Sequence, residues 1–193
     1  MKKVLLVLAA LLLSANLFAG EFVVKGGLDL NQDTTVTLGE FSVNGNSSNS
    51  FTLQAEYFTP VNDSLYLGAG INASSMLKVE EEYFVNLYPL YLAAKVKLPK
   101  KNMTHYFGGK LGMSIPSYAN LEDDEYVTYD NKKASLFLGV NAGIEFKNNF
   151  LVELSIEQSN YKVDETDLSD DSVTKSKFKT NKIGLNVGYR FGN

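Results

Sequence analysis

The chain contains no cysteine and only one histidine, His105, among its 193 residues. Without cysteine, neither a disulfide framework nor a thiol nucleophile is available. No nucleophile, base and orienting group stand out together in the sequence, so we predict no catalytic residue. We also predict no cofactor-binding residue and no metal-binding residue.

Positive charge is also scarce. The 18 Lys and Arg residues are outnumbered by 22 Asp and Glu residues, which gives a formal net charge of -4. Loss of Lys2 and Lys3 with an N-terminal leader would make the remaining chain more negative. We therefore expect no nucleic-acid partner.

Long apolar runs are missing beyond residue 20, so no membrane-spanning helix is expected there. At the N-terminus, Lys2 and Lys3 precede an apolar run over residues 4–13, and Ala19 stands before Gly20. This pattern is typical of a secretory signal peptide, and the run is shorter than the roughly 20 residues that a membrane helix needs. We predict cleavage after Ala19, with residues 1–19 as signal peptide and residues 20–193 as one domain.

Alternation of apolar and polar residues recurs along the remaining chain and predicts strands. Each candidate strand has about the 9 to 11 residues with which a tilted strand crosses a membrane. The eight predicted strands are 22–30, 51–59, 65–74, 88–98, 105–115, 135–146, 150–158 and 183–191.

Strict alternation gives every predicted strand one face without charge. The opposite face collects glycines and charges of both signs, namely Lys25, Asp29, Glu56, Lys95, Lys97, Lys110, Glu145, Glu153, Glu157 and Arg190. A soluble sandwich explains this pattern if the apolar face is its core. A membrane barrel explains it equally well if the apolar face meets lipid and the charged face lines the lumen.

Aromatic residues and connection lengths favour the barrel. Aromatic residues of the apolar face gather near one end of their strands, as in a girdle at a membrane interface; they are Phe22, Tyr57, Phe107, Phe146, Phe150, Tyr189 and Phe191. Short connections at 60–64, 99–104 and 147–149 alternate with long ones at 31–50, 75–87, 116–134 and 159–182. We predict an all-β, closed, eight-stranded antiparallel up-and-down transmembrane barrel. The girdle, the short turns and both termini are expected on the periplasmic side, and the long loops outside the cell.

With these features the chain resembles the eight-stranded outer-membrane barrels of the opacity-protein and surface-antigen type, over essentially all of residues 21–193. The most specific segment is the ending from Gly184 to Phe191, which is similar to the C-terminal strand signal read by barrel-assembly machinery; this chain adds Gly192 and Asn193. The resemblance implies the outer membrane of a Gram-negative-type bacterium as the location. It also implies outer-membrane lipid and barrel-assembly machinery as partners.

Similar barrels serve different functions, so the resemblance leaves the role open. An eight-stranded barrel has just enough room for its own inward side chains. We expect a polar lumen network of Lys25, Glu56, Lys95, Lys110, Glu145, Glu153 and Arg190, with a narrow, porin-like ion pore as an alternative. Lipid-modifying barrels that resemble this one place a catalytic His or Ser near the outer leaflet, whereas His105 lies at the predicted periplasmic rim. An enzyme acting on envelope lipid is therefore an alternative to the non-enzymatic barrel that we predict.

The predicted long loops are acidic, with Glu at 80–82 and a run of four carboxylates at 122–125 near tyrosines 118, 126 and 129. Such loops can bind basic partners or divalent cations, or simply keep the exterior hydrated. We predict a surface barrel that mediates adhesion or binds an extracellular ligand through them.

One segment of the first long loop has calcium-loop spacing. Asp29, Asn31, Asp33 and Glu40 fall at positions 1, 3, 5 and 12 of an EF-hand-like loop. However, Thr34 stands where the sharp turn needs glycine, and a strand rather than a helix precedes the segment. We interpret it as a polar surface loop.

Overall fold

The computed structural model describes residues 20–38, 41–47, 50–74, 78–79, 83–119, 127–133, 135–167 and 172–192. The predicted signal peptide over residues 1–19 lies outside the described residues, so its cleavage stays a prediction. Within the described ranges, no helix is long and apolar enough to cross a membrane.

The described residues form eleven β-strands. They are β1 Glu21–Leu38, β2 Phe41–Ser47, β3 Ser50–Pro60, β4 Leu65–Ser74, β5 Lys78–Val79, β6 Tyr83–Pro99, β7 Met103–Ala119, β8 Val127–Lys133, β9 Ser135–Phe146, β10 Phe150–Asp167 and β11 Ser172–Phe191. Their pairing is antiparallel and follows the order β11-β1-β3-β4-β6-β7-β9-β10, and β10 pairs with β11 in turn. The sheet therefore closes on itself, which confirms the predicted eight-stranded barrel.

The first and last strands join along most of their length. They pair from Phe22 opposite Phe191 to Leu38 opposite Ser176, with a bulge at Leu30, between Asp29 and Asn31. Closure by this seam leaves no unpaired edge among the described membrane-spanning residues, as lipid requires.

The outer surface of the wall is apolar and exposed. Phe51 is 72% exposed and Leu92 is 70% exposed, whereas the next residues along the chain, Thr52 and Ala93, are buried. A soluble sandwich would bury such large apolar side chains, because burial of apolar area is what stabilises it. The exposed apolar face therefore meets lipid, and the lumen is the polar side.

The strands on the loop side extend further than predicted. β1 continues to Leu38, β10 continues to Asp167 and β11 begins at Ser172, so much of the predicted connections 31–50 and 159–182 is hydrogen-bonded sheet. Outside the membrane both faces of a strand can be polar, so the apolar alternation that reveals a strand disappears there. The acidic stretches 80–82 and 122–125 lie outside the described residues.

We call the band of exposed apolar residues around the wall the apolar belt. On the loop side of this belt, the strands divide into two groups. β2, β1, β11, β10 and β8 form one continuous sheet, which we call the loop-end sheet (residues 31–38, 41–47, 127–133, 159–167 and 172–182). β5, β6 and β7 form the other part. Pairing of β7 with β9 runs up to Ser114 opposite Ser135, and pairing of β3 with β4 runs up to Thr52 opposite Ser74.

Candidate functional site

The lumen contains buried charges in successive layers. At the short-turn end, the Lys97 ammonium lies 2.5 Å from Glu21 and 2.7 Å from Glu145. The Arg190 guanidinium lies 3.0 Å from Glu21, and Lys95 lies 3.3 Å from Glu145. This end of the lumen is therefore crossed by ion pairs between β1, β6, β9 and β11.

The middle layer is centred on Glu153. The Lys25 ammonium lies 2.8 Å from a Glu153 oxygen and 2.8 Å from a Glu56 oxygen. The Tyr106 hydroxyl donates to Glu153 at 3.0 Å, and the Asn141 amide donates to it at 2.6 Å. A carboxylate with this many donors is fully compensated for the loss of water.

The layer nearest the loop end contains Lys110 and Lys182. Lys110 lies 2.9 Å from Glu157, and Lys182 lies 3.3 Å from the other Glu157 oxygen and 3.4 Å from Asp29. Ser50 donates to Asp29 at 2.7 Å. The buried charges thus extend through the described length of the lumen.

Aromatic rings fill the space between these layers. The rings of Tyr91 and Phe137 lie 5.3 Å apart, and both side chains are buried. The Lys95 ammonium lies 4.0 Å from the centre of the Phe58 ring, and the Tyr91 hydroxyl donates to Glu56 at 2.9 Å. Cation–π contacts of this kind add to the ion pairs.

Inward glycines make room for the rings. A Cβ added at Gly70 would lie 2.8 Å from the Tyr91 ring, and one at Gly143 would collide with the Tyr106 ring. Distances this short require the ring to move. The glycines of the charged face therefore serve to pack the lumen.

The structure places all seven residues of the predicted polar network on the lumen side, where they form two sets of ion pairs. Lys25, Glu56, Lys110 and Glu153 form one set, and Lys95, Glu145 and Arg190 form the other. Sequence reasoning missed Glu21 and Lys182, which lie one residue outside the predicted ends of their strands. It also did not single out the inward aromatic residues. These aromatic residues occupy alternate positions on the same face as the charged residues, and that alternation is the signal by which they could have been found.

The predicted aromatic girdle falls at the short-turn rim, but its members do not form one continuous ring. Phe22, Phe191, Tyr189 and Phe150 form a chain of ring contacts with centroid distances of 6.2, 4.8 and 5.3 Å. Tyr57 is the register partner of Phe22 on the other side. Phe107 and Phe146 make no ring contact with another girdle member among the described residues, and they stand opposite smaller or unbranched partners on their neighbouring strands.

A polar cavity of about 360 Å³ opens at the short-turn mouth of the barrel; its lining includes Asp63, Tyr66, Lys97, Lys100, Glu145 and Arg190. The ion pairs of the first layer border this cavity. Further inside, the side chains of Lys25, Glu56 and Glu153 are 1%, 3% and 1% exposed. These three side chains, which lie beyond the cavity, are therefore closed to solvent.

The segment with calcium-loop spacing is not a loop where the structure describes it. Asp29 is buried in the lumen, whereas Asp33 is exposed on the continuing strand β1, and Glu40 lies outside the described residues. The bulge at Leu30 reverses the alternation, so Asp29 lies on the lumen side and Asp33 on the outer side, and the two carboxylates do not converge. In the described part of the chain, no three metal-ligating side chains are grouped to hold an ion.

His105 is half-buried near the start of β7, where it stands opposite Leu98 and Ile144. Its apolar partners place it in the outward phase, at the short-turn end.

Comparison with known proteins agrees with this architecture. The family model for the outer membrane protein beta-barrel domain matches residues 5–191. The fold is similar to that of the outer membrane protein OprG from Pseudomonas aeruginosa, with a TM-score of 0.59, 13% sequence identity, and coverage of 91% of this chain and 98% of OprG. It is also similar to that of Neisserial surface protein A, with a TM-score of 0.52, 15% identity, and coverage of 88% and 97%.

At these identities the likeness to solved structures shows the fold alone. No curated protein matches the sequence. Because the family model spans nearly the whole chain and the structure is a closed eight-stranded barrel, the chain belongs to the outer membrane protein beta-barrel domain family.

Proposed function

We propose that this protein is a non-enzymatic, non-conducting surface barrel that binds extracellular partners through the end of the barrel carrying the long connections. The observation that carries the proposal is the division of the molecule into a lumen filled by ion pairs and a loop-end sheet that rises beyond the apolar belt. The first part has little room for transport, and the second part is a rigid support for binding loops.

The filled lumen argues against a pore. Ions crossing it would have to displace ion pairs such as Lys25–Glu153 and Lys110–Glu157, which lie at 2.8 and 2.9 Å. Buried charges of this kind are costly to leave unpaired. We expect rare, irregular leakage in planar bilayers and no regular single-channel steps.

The placement of His105 argues against an enzyme acting on outer-leaflet lipid. It lies at the short-turn end, whereas the outer leaflet surrounds the loop end if the short turns are periplasmic. Farther inside than the mouth cavity, buried side chains such as Lys25 and Glu153 are paired with one another rather than directed at that cavity.

The loop-end sheet supports a binding role. From Ile156, an exposed apolar residue, β10 continues to Asp167, which is on the order of 35 Å of strand at about 3.3 Å per residue. The connections 80–82 and 120–126 contain most of the clustered carboxylates of the sequence, and 168–171 adds two more. Carboxylates presented beyond the lipid surface attract basic partners and divalent cations.

The proposal also includes the direction in which the barrel is inserted in the membrane. Outer-membrane barrels have short periplasmic turns and longer extracellular loops. The short turns of this chain and the Phe22–Phe191 ring contact lie at one end, and the loop-end sheet lies at the other. We therefore take the loop end as extracellular, and both termini as periplasmic.

The test neutralises the acidic run by the four changes Glu122→Gln, Asp123→Asn, Asp124→Asn and Glu125→Gln. Folded protein in lipid vesicles is titrated with fluorescent polylysine, with calcium and with purified matrix proteins. We expect at least one of these probes to bind the unaltered protein and to bind the variant about tenfold more weakly, with a difference that shrinks as salt is added.

Asp63→Asn, in an exposed short turn, is the matched control and should leave binding unchanged. Gel mobility before and after boiling verifies that each variant is folded. Failure of every probe to bind the unaltered protein would refute the binding role, as would equal binding by the neutralised variant. Regular conductance steps would refute the non-conducting lumen.

A further inference from the structure

We propose that the polar cavity at the short-turn mouth of the barrel binds a small organic dicarboxylate of about the size of a dipeptide. The compartment that supplies this ligand rests on the orientation given under the proposed function, and it is the periplasm if the short turns lie there. Binding itself does not depend on the orientation. The site lies at the opposite end of the barrel from the acidic connections.

The cavity lining has an excess of positive charge. Its volume is about 360 Å³, and four basic and two acidic side chains line it; they are Lys97, Lys100, Lys147, Arg190, Asp63 and Glu145. The ion-pair partners of these side chains outside the lining are Lys95 and Glu21, which add one charge of each sign. The excess of two positive charges therefore remains when the partners are included.

Inside the mouth, three cations share two carboxylates. Lys97 lies 2.7 Å from Glu145, and Lys95 lies 3.3 Å from the same carboxylate. Arg190 lies 3.0 Å from Glu21. Among the described residues, no third carboxylate pairs with these cations, and the Lys97 side chain is only 6% exposed. Because excess charge away from water is costly unless it is paired, an anion in the cavity would stabilise this cluster.

The other two lysines of the lining stand in short turns at the rim. Lys100 lies in the turn between β6 and β7, Lys147 lies in the turn between β9 and β10, and both are exposed. No ion pair joins either lysine to a carboxylate among the described residues, which include all three short turns and the strand ends beside them. Both ammonium groups are therefore available to a ligand.

Hydrogen bonds hold these turns in place. The backbone N–H of Lys100 donates to the Met103 carbonyl at 2.8 Å, and that of Asn149 donates to the Phe146 carbonyl at 3.0 Å. The N–H of Arg190 donates to the Asn149 carbonyl at 2.9 Å, so the second turn is also tied to β11. A rim that is ordered before binding loses little conformational freedom when a ligand arrives.

The lining favours an organic dicarboxylate over an inorganic anion. Tyr66, Met103 and Phe146 add aromatic and apolar surface to the cavity, and an inorganic phosphate would leave that surface uncovered. The volume is at the lower end of the range of small-molecule sites, about 300–1,000 Å³. The Asp63 carboxylate offers an acceptor for an amide N–H of the ligand. A molecule with two carboxylates on a short amide backbone matches both the charge and the surface.

The experiment uses the full mature chain folded in a zwitterionic detergent, where both mouths of the barrel are open to the solution. The protein is titrated with N-acetyl-alanyl-glutamate and with the neutral counterpart in which both carboxylates are amides. The unaltered protein should bind the dicarboxylate at least about tenfold more tightly than the diamide at low salt, with a difference that shrinks as salt is added.

Two variants test the residues that the cavity argument uses. Lys100→Gln combined with Lys147→Gln should weaken dicarboxylate binding about tenfold, because each exposed ion pair contributes up to about fivefold in affinity. Asp63→Asn keeps an acceptor oxygen and removes a negative charge, so it should strengthen binding. All three residues are exposed in turns, so the variants should fold, and gel mobility before and after boiling verifies it.

Lys177→Gln with Lys179→Gln is the matched control, because it removes two exposed lysines at the loop end and should leave the affinity unchanged. Equal binding of the dicarboxylate and the diamide would overturn the proposal. Tight binding that persists without Lys100 and Lys147, or equal weakening in the control, would also overturn it. Displacement of the dicarboxylate by an equal concentration of inorganic phosphate would overturn it in favour of a site for any small anion.

The polylysine, calcium and matrix-protein assay separates this proposal from the preceding one. The variant without Lys100 and Lys147 should bind those probes as the unaltered protein does, because its acidic connections are intact. The variant neutralised at 122–125 should bind the dicarboxylate as the unaltered protein does. Loss of both activities in either variant would count against a separate site at the mouth.

Discussion

Glu153 is the acceptor on which the middle of the lumen converges, so Glu153→Ala tests whether the lumen is a packed, paired interior. The change removes one of the two carboxylates that hold Lys25 and leaves Glu56 at 2.8 Å. It also removes the acceptor of the Tyr106 hydroxyl and of the Asn141 amide.

The expected cost follows from these contacts. Breaking a buried ion pair by removing one partner costs about 3–5 kcal/mol, and each buried donor left without an acceptor costs about 1–3 kcal/mol. Lys25 keeps Glu56, and water entering the vacated space offsets part of the loss. We therefore expect the free energy of unfolding to fall by about 3–5 kcal/mol.

The chain has no tryptophan, so unfolding in urea is followed by circular dichroism and by the fraction of folded protein on gels. Glu153→Gln keeps an acceptor oxygen and should cost less. Lys25→Met combined with Glu153→Leu should cost less than the sum of the single changes, because both charges of the pair are removed together and Glu56 keeps Lys110 at 3.6 Å. Asp63→Ala, at an exposed turn, should stay within about 0.5 kcal/mol.

A loss below about 1 kcal/mol for Glu153→Ala would show that water already solvates this carboxylate. The packed lumen, and the non-conducting barrel inferred from it, would then both fail.

Leu185→Arg places a charge in lipid and should cost about 2–4 kcal/mol, whereas Asn181→Arg, above the belt, should cost under about 1 kcal/mol; equal costs in vesicle unfolding assays would contradict the position of the belt. Gly143→Ala should destabilise the barrel by about 1–3 kcal/mol, because the added Cβ collides with the neighbouring tyrosine ring. Gly26→Ala, which has nothing within 4 Å of the added Cβ, should be neutral, and the reverse order in urea melts would place the glycines on the wrong faces. Proteinase K added to intact cells should cut within the connections 120–126 or 168–171 and spare the turn at 147–149, and the opposite pattern by mass spectrometry would invert the topology.

The faces of the barrel could be predicted from sequence because lipid excludes charge. Every outward position of the predicted strands is uncharged, so the phase of residues such as Leu185 and Glu153 follows from alternation alone. The same rule predicted the closed barrel, since strands that cross lipid cannot leave unpaired edges.

The pairing inside the lumen could not be predicted in this way. Lys25 lies four residues from Asp29 in sequence, yet its partners are Glu56 and Glu153 on other strands. Which charges meet across a barrel depends on its stagger and tilt, and alternation contains no information on either.

The residues at which the strands begin and end could not be predicted from the sequence either. Glu21 and Lys182 are inward residues at the limits of the apolar pattern, and the strands above the belt have polar residues on both faces. For this reason the sequence pattern places Lys177 and Lys179 in a long connection. In the structure their backbone pairs with Thr37 and Thr35, so both lysines lie on one face of a sheet.

The ion pair between Glu21 and Arg190 has a consequence for how the barrel assembles. The two residues are separated by 169 positions, near opposite ends of the chain, and they meet only when β1 pairs with β11. Before that seam forms, both charges and their partners lie on an open sheet without their native counterions. Pairs such as Lys110–Glu157 join other strands, but the charges of β1 find their partners only on closure. Intermediates that lack β1 or β11 should therefore be poorly populated.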